Sequence, residues 1–300
     1  MNKNILRADL ILLVSALIWG FAFVAQRAGM KYVGPFTFNG IRFILGALFL
    51  LPWIRIRKIE DPASLRKTIR FGLPAGIILF TAAALQQVGI VYTSAGNAGF
   101  ITGLYMIFVP VLGLISGRKT GAGIWLGVIF AATGMYLLTA TSDLTVSRGN
   151  FLVLISAVCW ALHVLTIDRF TKLIDPLRLA FTQFLICGIL SGLIAIISEK
   201  IEINSIVAAL IPILYGGLIS VGIGFTLQVV AQKEAHPSHA ALILSLEAVF
   251  AFLGGIVILQ EILTGKRVVG CLLMLTGMVI SQLWQRKKRK KYDLDIQYNN

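Results

Sequence analysis

Polar residues in this chain fall in short clusters. The intervals between them are apolar runs of about the length that spans a bilayer, ~20 residues. About ten such runs can be drawn, over residues 9–26, 35–54, 72–92, 96–116, 123–140, 150–167, 177–197, 206–230, 238–259 and 268–284. No strict alternation of apolar and polar positions runs through them, which excludes an outer-membrane barrel. Backbone groups in lipid must be satisfied within the segment, so each run is predicted to be a helix. Lys3 and Arg7 precede the first run as in a leader peptide, but FAFVAQ is a poor cleavage sequence, and the run is read as a retained span. The tail RKKRKKYDLDIQYNN is polar and expected to fray.

One position breaks the pattern. LILSLEAVFAFLGG, at 242–255, carries Glu247 near the middle of an apolar run. The other acidic residues, Asp9 among them, lie in or beside polar breaks, and Asp168 lies near a segment end. A charge at mid-span costs roughly 2.5–3.5 kcal/mol on insertion scales. Such a residue is read as a functional group facing the bundle interior or a wet cavity. The blander reading is a neutral carboxyl bonded to a neighbouring helix.

Composition agrees with the pattern. Hydrophobic residues make up 57% and charged residues 13% of 300, against about 25% charged in soluble domains. The net charge of +14 does not point to nucleic acid, because the charges sit in breaks and the tail rather than on one soluble face. They fit anionic lipid and topology instead. With the N-terminus inside, most of the 27 Lys and Arg fall on one side, including Arg55, Arg57, Lys58, Arg118, Lys119, Arg169 and the cluster from Arg286 to Lys291. Arg27, Lys31, Arg148, Lys200, Lys266 and Arg267 fall on the other. That predicts a multi-pass protein of the cell (inner) membrane with both termini cytoplasmic. Cys159, Cys187 and Cys271 lie inside apolar runs and are expected to be free thiols. No metal-site spacing, nucleophile motif or phosphate loop appears, so neither a cofactor nor an enzymatic role is expected.

The two halves resemble each other. SALIWG at 15–20 is echoed by SAVCWA at 156–161, pairing Trp19 with Trp160. The same offset pairs Pro35 with Pro176, Arg42 with Gln183 and Phe43 with Phe184. Gln86 then matches Gln228, and GNAGFITGLYMIFVPVLG at 96–113 lies over SHAALILSLEAVFAFLGG at 238–255. Five spans per half is an odd number, so the second copy enters the membrane upside down, a transporter device with its site near the midplane.

These residues carry a resemblance to the drug/metabolite transporter superfamily, specifically its EamA-type members with two five-helix repeats. SALIWGFAFV, GNAGFITGLYMIFVPVLG and LSLEAVFAFLGGIVILQEILTGKRVVGCLLMLTGMVI are its main carriers, and it covers about residues 8–284. In the superfamily the second position after the ninth-helix Glu is often proline or near one; here Ala248 follows Glu247, a small departure. The resemblance implies an all-α integral membrane protein with about ten transmembrane helices in two inverted repeats, 1–142 and 143–285, and a basic tail at 286–300. It also implies alternating-access export of an amino acid or similar small metabolite.

Mid-span polar and aromatic residues are the candidates for a substrate site. Trp19 and Trp160 can form facing aromatic walls or simply pack helices. His163 shares a helix face with Trp160 and can bind substrate or relay protons, or bond a backbone carbonyl. Asn97 and Tyr105 are read as one stripe of the fourth helix, matched by His239 and Glu247 on the ninth. Gln86, Gln183, Gln228 and Arg42 are read as glue or gates between helices. Arg42 is expected to reach back to the outer interface, with pairing to Glu247 or to a substrate carboxylate as the other readings. Gly99 and Gly103 are expected to give the fourth helix one small face. The expected partners are a small-molecule substrate, protons as a coupling ion and the lipid bilayer, with the protein a monomer or homodimer. A nucleotide-sugar or phosphometabolite antiporter would want more cations in the cavity. A non-transporting sensor or scaffold would tolerate a filled midplane.

Overall fold

Helices start where the sequence supplies a rigid first residue. In the computed structural model, which describes residues 3–56, 62–93, 95–117, 120–139, 148–259 and 265–298, helices open at Pro35, Pro62, Pro176 and Pro237. Proline suits that position because its φ is already helical and its missing N–H would be unpaired anyway. Asp175 completes one such start by accepting from the Leu177 and Arg178 amides at 3.0 and 3.2 Å. The matched start at Pro35 borrows its cap: Glu199 accepts from the Phe36 and Thr37 amides, each at 2.8 Å.

In the first half the helices are α1 (Lys3–Gly29), α2 (Pro35–Ile56), α3 (Pro62–Val91), α4 (Ala95–Gly103), α5 (Tyr105–Ile115) and α6 (Ala122–Thr139). The second half has α7 (Arg148–Phe170), α8 (Pro176–Ser198), α9 (Ile203–Ala208) and α10 (Leu210–Leu214). A π-helical stretch (Tyr215–Phe225) follows, then α11 (Thr226–Gln232), α12 (Pro237–Leu244), α13 (Glu247–Leu259) and α14 (Gly265–Tyr298). No strand occurs among the described residues. Among the described residues seven segments are long and apolar enough to cross a membrane, and Ala122–Leu137, Pro237–Leu253 and Val268–Ser281 are shorter apolar helices. Together they match the ten predicted runs. Apolar side chains cover both faces: Leu12, Leu79 and Met135 are fully buried, while Ile115, Ile197 and Ile211 are largely exposed. A helix apolar all round suits lipid on one side and a packed core on the other.

The helices show the inversion directly. α2 packs against its repeat equivalent α8, and α6 against its equivalent α14. Both pairs run antiparallel. In the first, Gly40 lies against Gly192 and Gly188 against Ile44; in the second, Gly127 lies against Gly277 and Gly134 against Gly270. The remaining contacts come in matched sets. α3 packs on α7 as α1 packs on the π-helical stretch and α11, and α4 and α5 pack on α7 as α12 and α13 pack on α1.

Three features depart from the sequence reading. The fourth and ninth spans are each broken, at Leu104 and at Ser245–Leu246, the same place in the repeat. There Leu104 N bonds Ile101 O and Leu246 N bonds Ile243 O, tight turns of three residues. The tail expected to fray continues α14 as helix to Tyr298, since its Lys and Arg are good helix formers and no breaker intervenes. Gly99 and Gly103 do not present one face to one partner: Gly99 lies over Phe23 on α1 and Gly103 over Met135 on α6. The boundary between the repeats at 142–143 lies outside the described residues.

Candidate functional site

The site grows out of the two breaks. Tyr105 is the first residue of α5 and Glu247 the first of α13. Both are buried and line one cavity between the halves. They are each other's polar neighbours, close enough to interact, yet neither Tyr105 Oη nor Glu247 Oε1 closes a hydrogen bond of ordinary geometry. In a low-dielectric interior such partly satisfied groups are costly, and a ligand or water is the natural remedy.

Aromatic walls stand on either side. Trp160 stacks on Phe225 with ring centroids 5.6 Å apart and planes at 25°, and Trp19 tilts against the same ring at 4.4 Å. Phe225 ends the π-helical stretch, whose wide turns leave carbonyls available to neighbours. Three side-chain bonds tie that stretch to α1: Trp19 Nε1 donates to Ser220 O at 3.4 Å, Ser15 Oγ to Gly224 O at 3.1 Å, and Tyr215 Oη to Ile18 O at 2.8 Å.

A chain of amides fixes the Trp160 wall. Trp160 Nε1 donates to Gln86 Oε1 at 2.6 Å, and Gln86 Nε2 donates to Gln26 Oε1 at 3.2 Å. Gln86 and Gln228, expected as glue near helix ends, both line the cavity. Gln228 Oε1 has no hydrogen-bond partner among the described residues.

Arg42 overturns its reading. It does not reach the interface: it is 2% exposed and lines the cavity. Its Nε donates to Asn39 Oδ1 at 2.9 Å, and Asn39 donates in turn to Ala83 O at 3.1 Å. The guanidinium lies 4.8 Å from the Phe43 ring centroid. Cation–π contact and an oriented Asn hold it inside, where an unsupported cation would snorkel. Among the described residues no carboxylate lies within ion-pair distance of it.

Three candidates stand outside the cavity. His163 touches Trp160 edge-on at 5.7 Å, as the spacing implies, but it faces Gln183, with Nε2 2.9 Å from Oε1. Asn97 lies on α4 away from the lining, and His239 is enclosed between α1 and α14. The expected stripes fail because residues eight apart already stand about 80° apart around a regular helix, and the tight turns at Leu104 and Leu246 add to that offset. Asp9, read as lying in or beside a polar break, and Asp168, read as lying near a segment end, are both buried; Asp168 pairs with Lys172 at 2.9 Å. Gln26, Thr102, Ser220 and Phe225 line the cavity without having been singled out. Only Gln26 carried a signal, as an amide closing an apolar run.

The cavity between these side chains has a volume of about 40 Å³. At ~10–15 Å³ per water, that holds a few waters. A larger ligand requires the walls to part.

The chain matches the model of the EamA-like transporter family twice, over residues 6–140 and 147–282. It is 34% identical over 283 residues to an uncharacterized transporter of Archaeoglobus fulgidus, covering 93% of this chain and 86% of the relative. It is 23% identical over 274 residues to the uncharacterized transporter YoaV of Bacillus subtilis, covering 88% and 93%. A crystal structure at 17% identity superposes with a TM-score of 0.76 over 93% of this chain and 98% of the other, a likeness of fold.

Proposed function

Because the chain belongs to the EamA-like transporter family, we propose that it is a secondary carrier exporting an amino acid or a related small metabolite by alternating access. In this reading Arg42 holds the substrate carboxylate, Glu247 with Tyr105 holds its ammonium group or a coupling proton, and Trp19, Phe225 and Trp160 flank its side chain. One observation carries the reading. A single cavity between inverted halves holds a guanidinium with no acidic partner, and a carboxyl group with an unmet oxygen, among the described residues, beside aromatic walls. A zwitterion complements both groups, and a planar guanidinium binds carboxylate in two parallel bonds. A nucleotide-sugar or phosphometabolite antiporter would want several cations; Arg42 is the one basic side chain among the described lining residues. Lysine and arginine placement supports both termini facing the cytoplasm.

A thermal-shift comparison tests the substrate class. The detergent-purified protein is heated with free L-amino acids, with their methyl esters and with their N-acetyl forms. A ligand that binds the native state raises the midpoint. The reading expects one or more free amino acids to raise it and both blocked forms of the same compound to fall short. Equal shifts with ester and free acid would contradict the role of Arg42.

A further inference from the structure

The two halves are equivalent in sequence but not in conformation, and the difference lies at α4 and α12. All eight residues of α12 are buried. In α4, its repeat equivalent, Gly96 is exposed and Ala95, Asn97 and Phe100 are half-buried. The cavity shares this bias. Its lining on α1 runs from Trp19 to Gln26, the end of the helix remote from Asp9. Between Asp9 and Trp19, Leu12 and Ala16 are fully buried.

A polar cluster closes the buried end. His239 on α12 sits with Nε2 3.2 Å from Asp9 Oδ1 on α1, and with Nδ1 2.9 Å from Ser281 Oγ on α14. His239 is 1% exposed and Ser281 is fully buried. The cluster therefore joins an element of the first half to two of the second. Leucine would fill such a contact without burying polar groups. A polar contact has another property. Opening it to water exchanges the His239–Ser281 hydrogen bond and the close approach of His239 to Asp9 for hydration, a smaller change than the exposure of apolar surface when a dry apolar seal opens.

The repeat offset places Asn150 on Asp9 and Asn97 on His239. Asn97 is on α4 and Asn150 on α7, elements that pack together as α12 packs on α1. We infer that Asp9, His239 and Ser281 form a gate that is shut in this structure, and that Asn97 and Asn150 form its counterpart at the other end. Exchanging the conformations of the two halves opens the first and seals α4 as tightly as α12 is sealed here. The inference rests on the carrier reading but not on the substrate.

Gly96 and Ser238 are repeat-equivalent, the first exposed and the second buried, so cysteines placed there report each end. A Cβ at position 96 meets nothing within 4 Å. Each single-cysteine addition, Gly96→Cys or Ser238→Cys, is made in the full chain and in its Asp9→Asn and His239→Asn derivatives. Labelling by a charged methanethiosulfonate reagent is located by mass spectrometry, so the native cysteines stay. Breaking the gate should speed labelling at position 238 by about tenfold, as when a state of a few per cent approaches parity. Labelling at position 96 should slow in the same proteins, because one end closes as the other opens. Unchanged rates in both derivatives would overturn the inference. So would a rise at both positions, which reports loosening rather than gating. Asn lacks the two ring nitrogens that His239 turns toward Asp9 and Ser281 at once, so His239→Asn breaks the cluster while leaving a polar side chain, which guards against a variant that merely fails to fold. The readout needs no substrate, so it can fail while the substrate assignment stands, and the reverse.

Discussion

Gln86 is where the side chains of the site meet. Its Oε1 accepts the Trp160 indole and its Nε2 donates to Gln26. Replacing it by Leu leaves a buried indole N–H without a partner, a loss of about 1–3 kcal/mol. Gln86→Leu should therefore lower the thermal midpoint of the purified protein and weaken ligand-induced stabilisation. An unchanged ligand response would detach the Trp160 wall from binding. Glu247 gives a second residue-scale prediction. If it carries a coupling proton, pH dependence of transport into vesicles should disappear in Glu247→Gln, and a retained dependence would assign coupling elsewhere. Trp19, Trp160, Tyr105 and Glu247 are legible in the sequence as cavity residues, because each is a polar or aromatic exception deep in an apolar run. Arg42 is legible as an exception but not in its direction. The ring of Phe43 and the amide of Asn39, which hold it, follow from three-dimensional packing. His239 was misplaced because a spacing of eight residues stands about 80° off one helix face even before the tight turn intervenes.

At the scale of elements, helix number and the repeat are legible because span length and collinear matches survive without any knowledge of packing. The breaks at Leu104 and Ser245–Leu246 are not, since an apolar run reads the same whether its bonds close over three residues or four. The π-helical stretch is hidden for the same reason. Helix crossings depend on glycine. A Cβ on Gly127 would stand 2.7 Å from Gly277 O, and one on Gly40 would stand 3.1 Å from Gly192 N. A Cβ on Gly265 meets nothing within 4 Å. Gly127→Leu should thus destabilise by overpacking, by about 1–3 kcal/mol or more, and lower the midpoint, whereas Gly265→Ala should leave it within error. Equal effects of the two would mean that α6 and α14 do not meet as described.

At the scale of the molecule, an antiparallel pairing of equivalent helices, two matched helix breaks and a cavity between the halves form one arrangement. Its chemistry is concentrated in a guanidinium from the first half and a carboxylate from the second, so a substrate that touches both holds the halves together. In the proposed alternating-access cycle such a substrate would favour the closed arrangement over the two open ones. The most direct measurement is counterflow in proteoliposomes preloaded with a complete mixture of amino acids, with the same mixture radiolabelled outside. The wild-type protein should accumulate label, and Arg42→Gln, at unchanged thermal midpoint, should lose that accumulation for every amino acid the wild type exchanges. Accumulation undiminished in Arg42→Gln, or none in the wild type, would contradict the account.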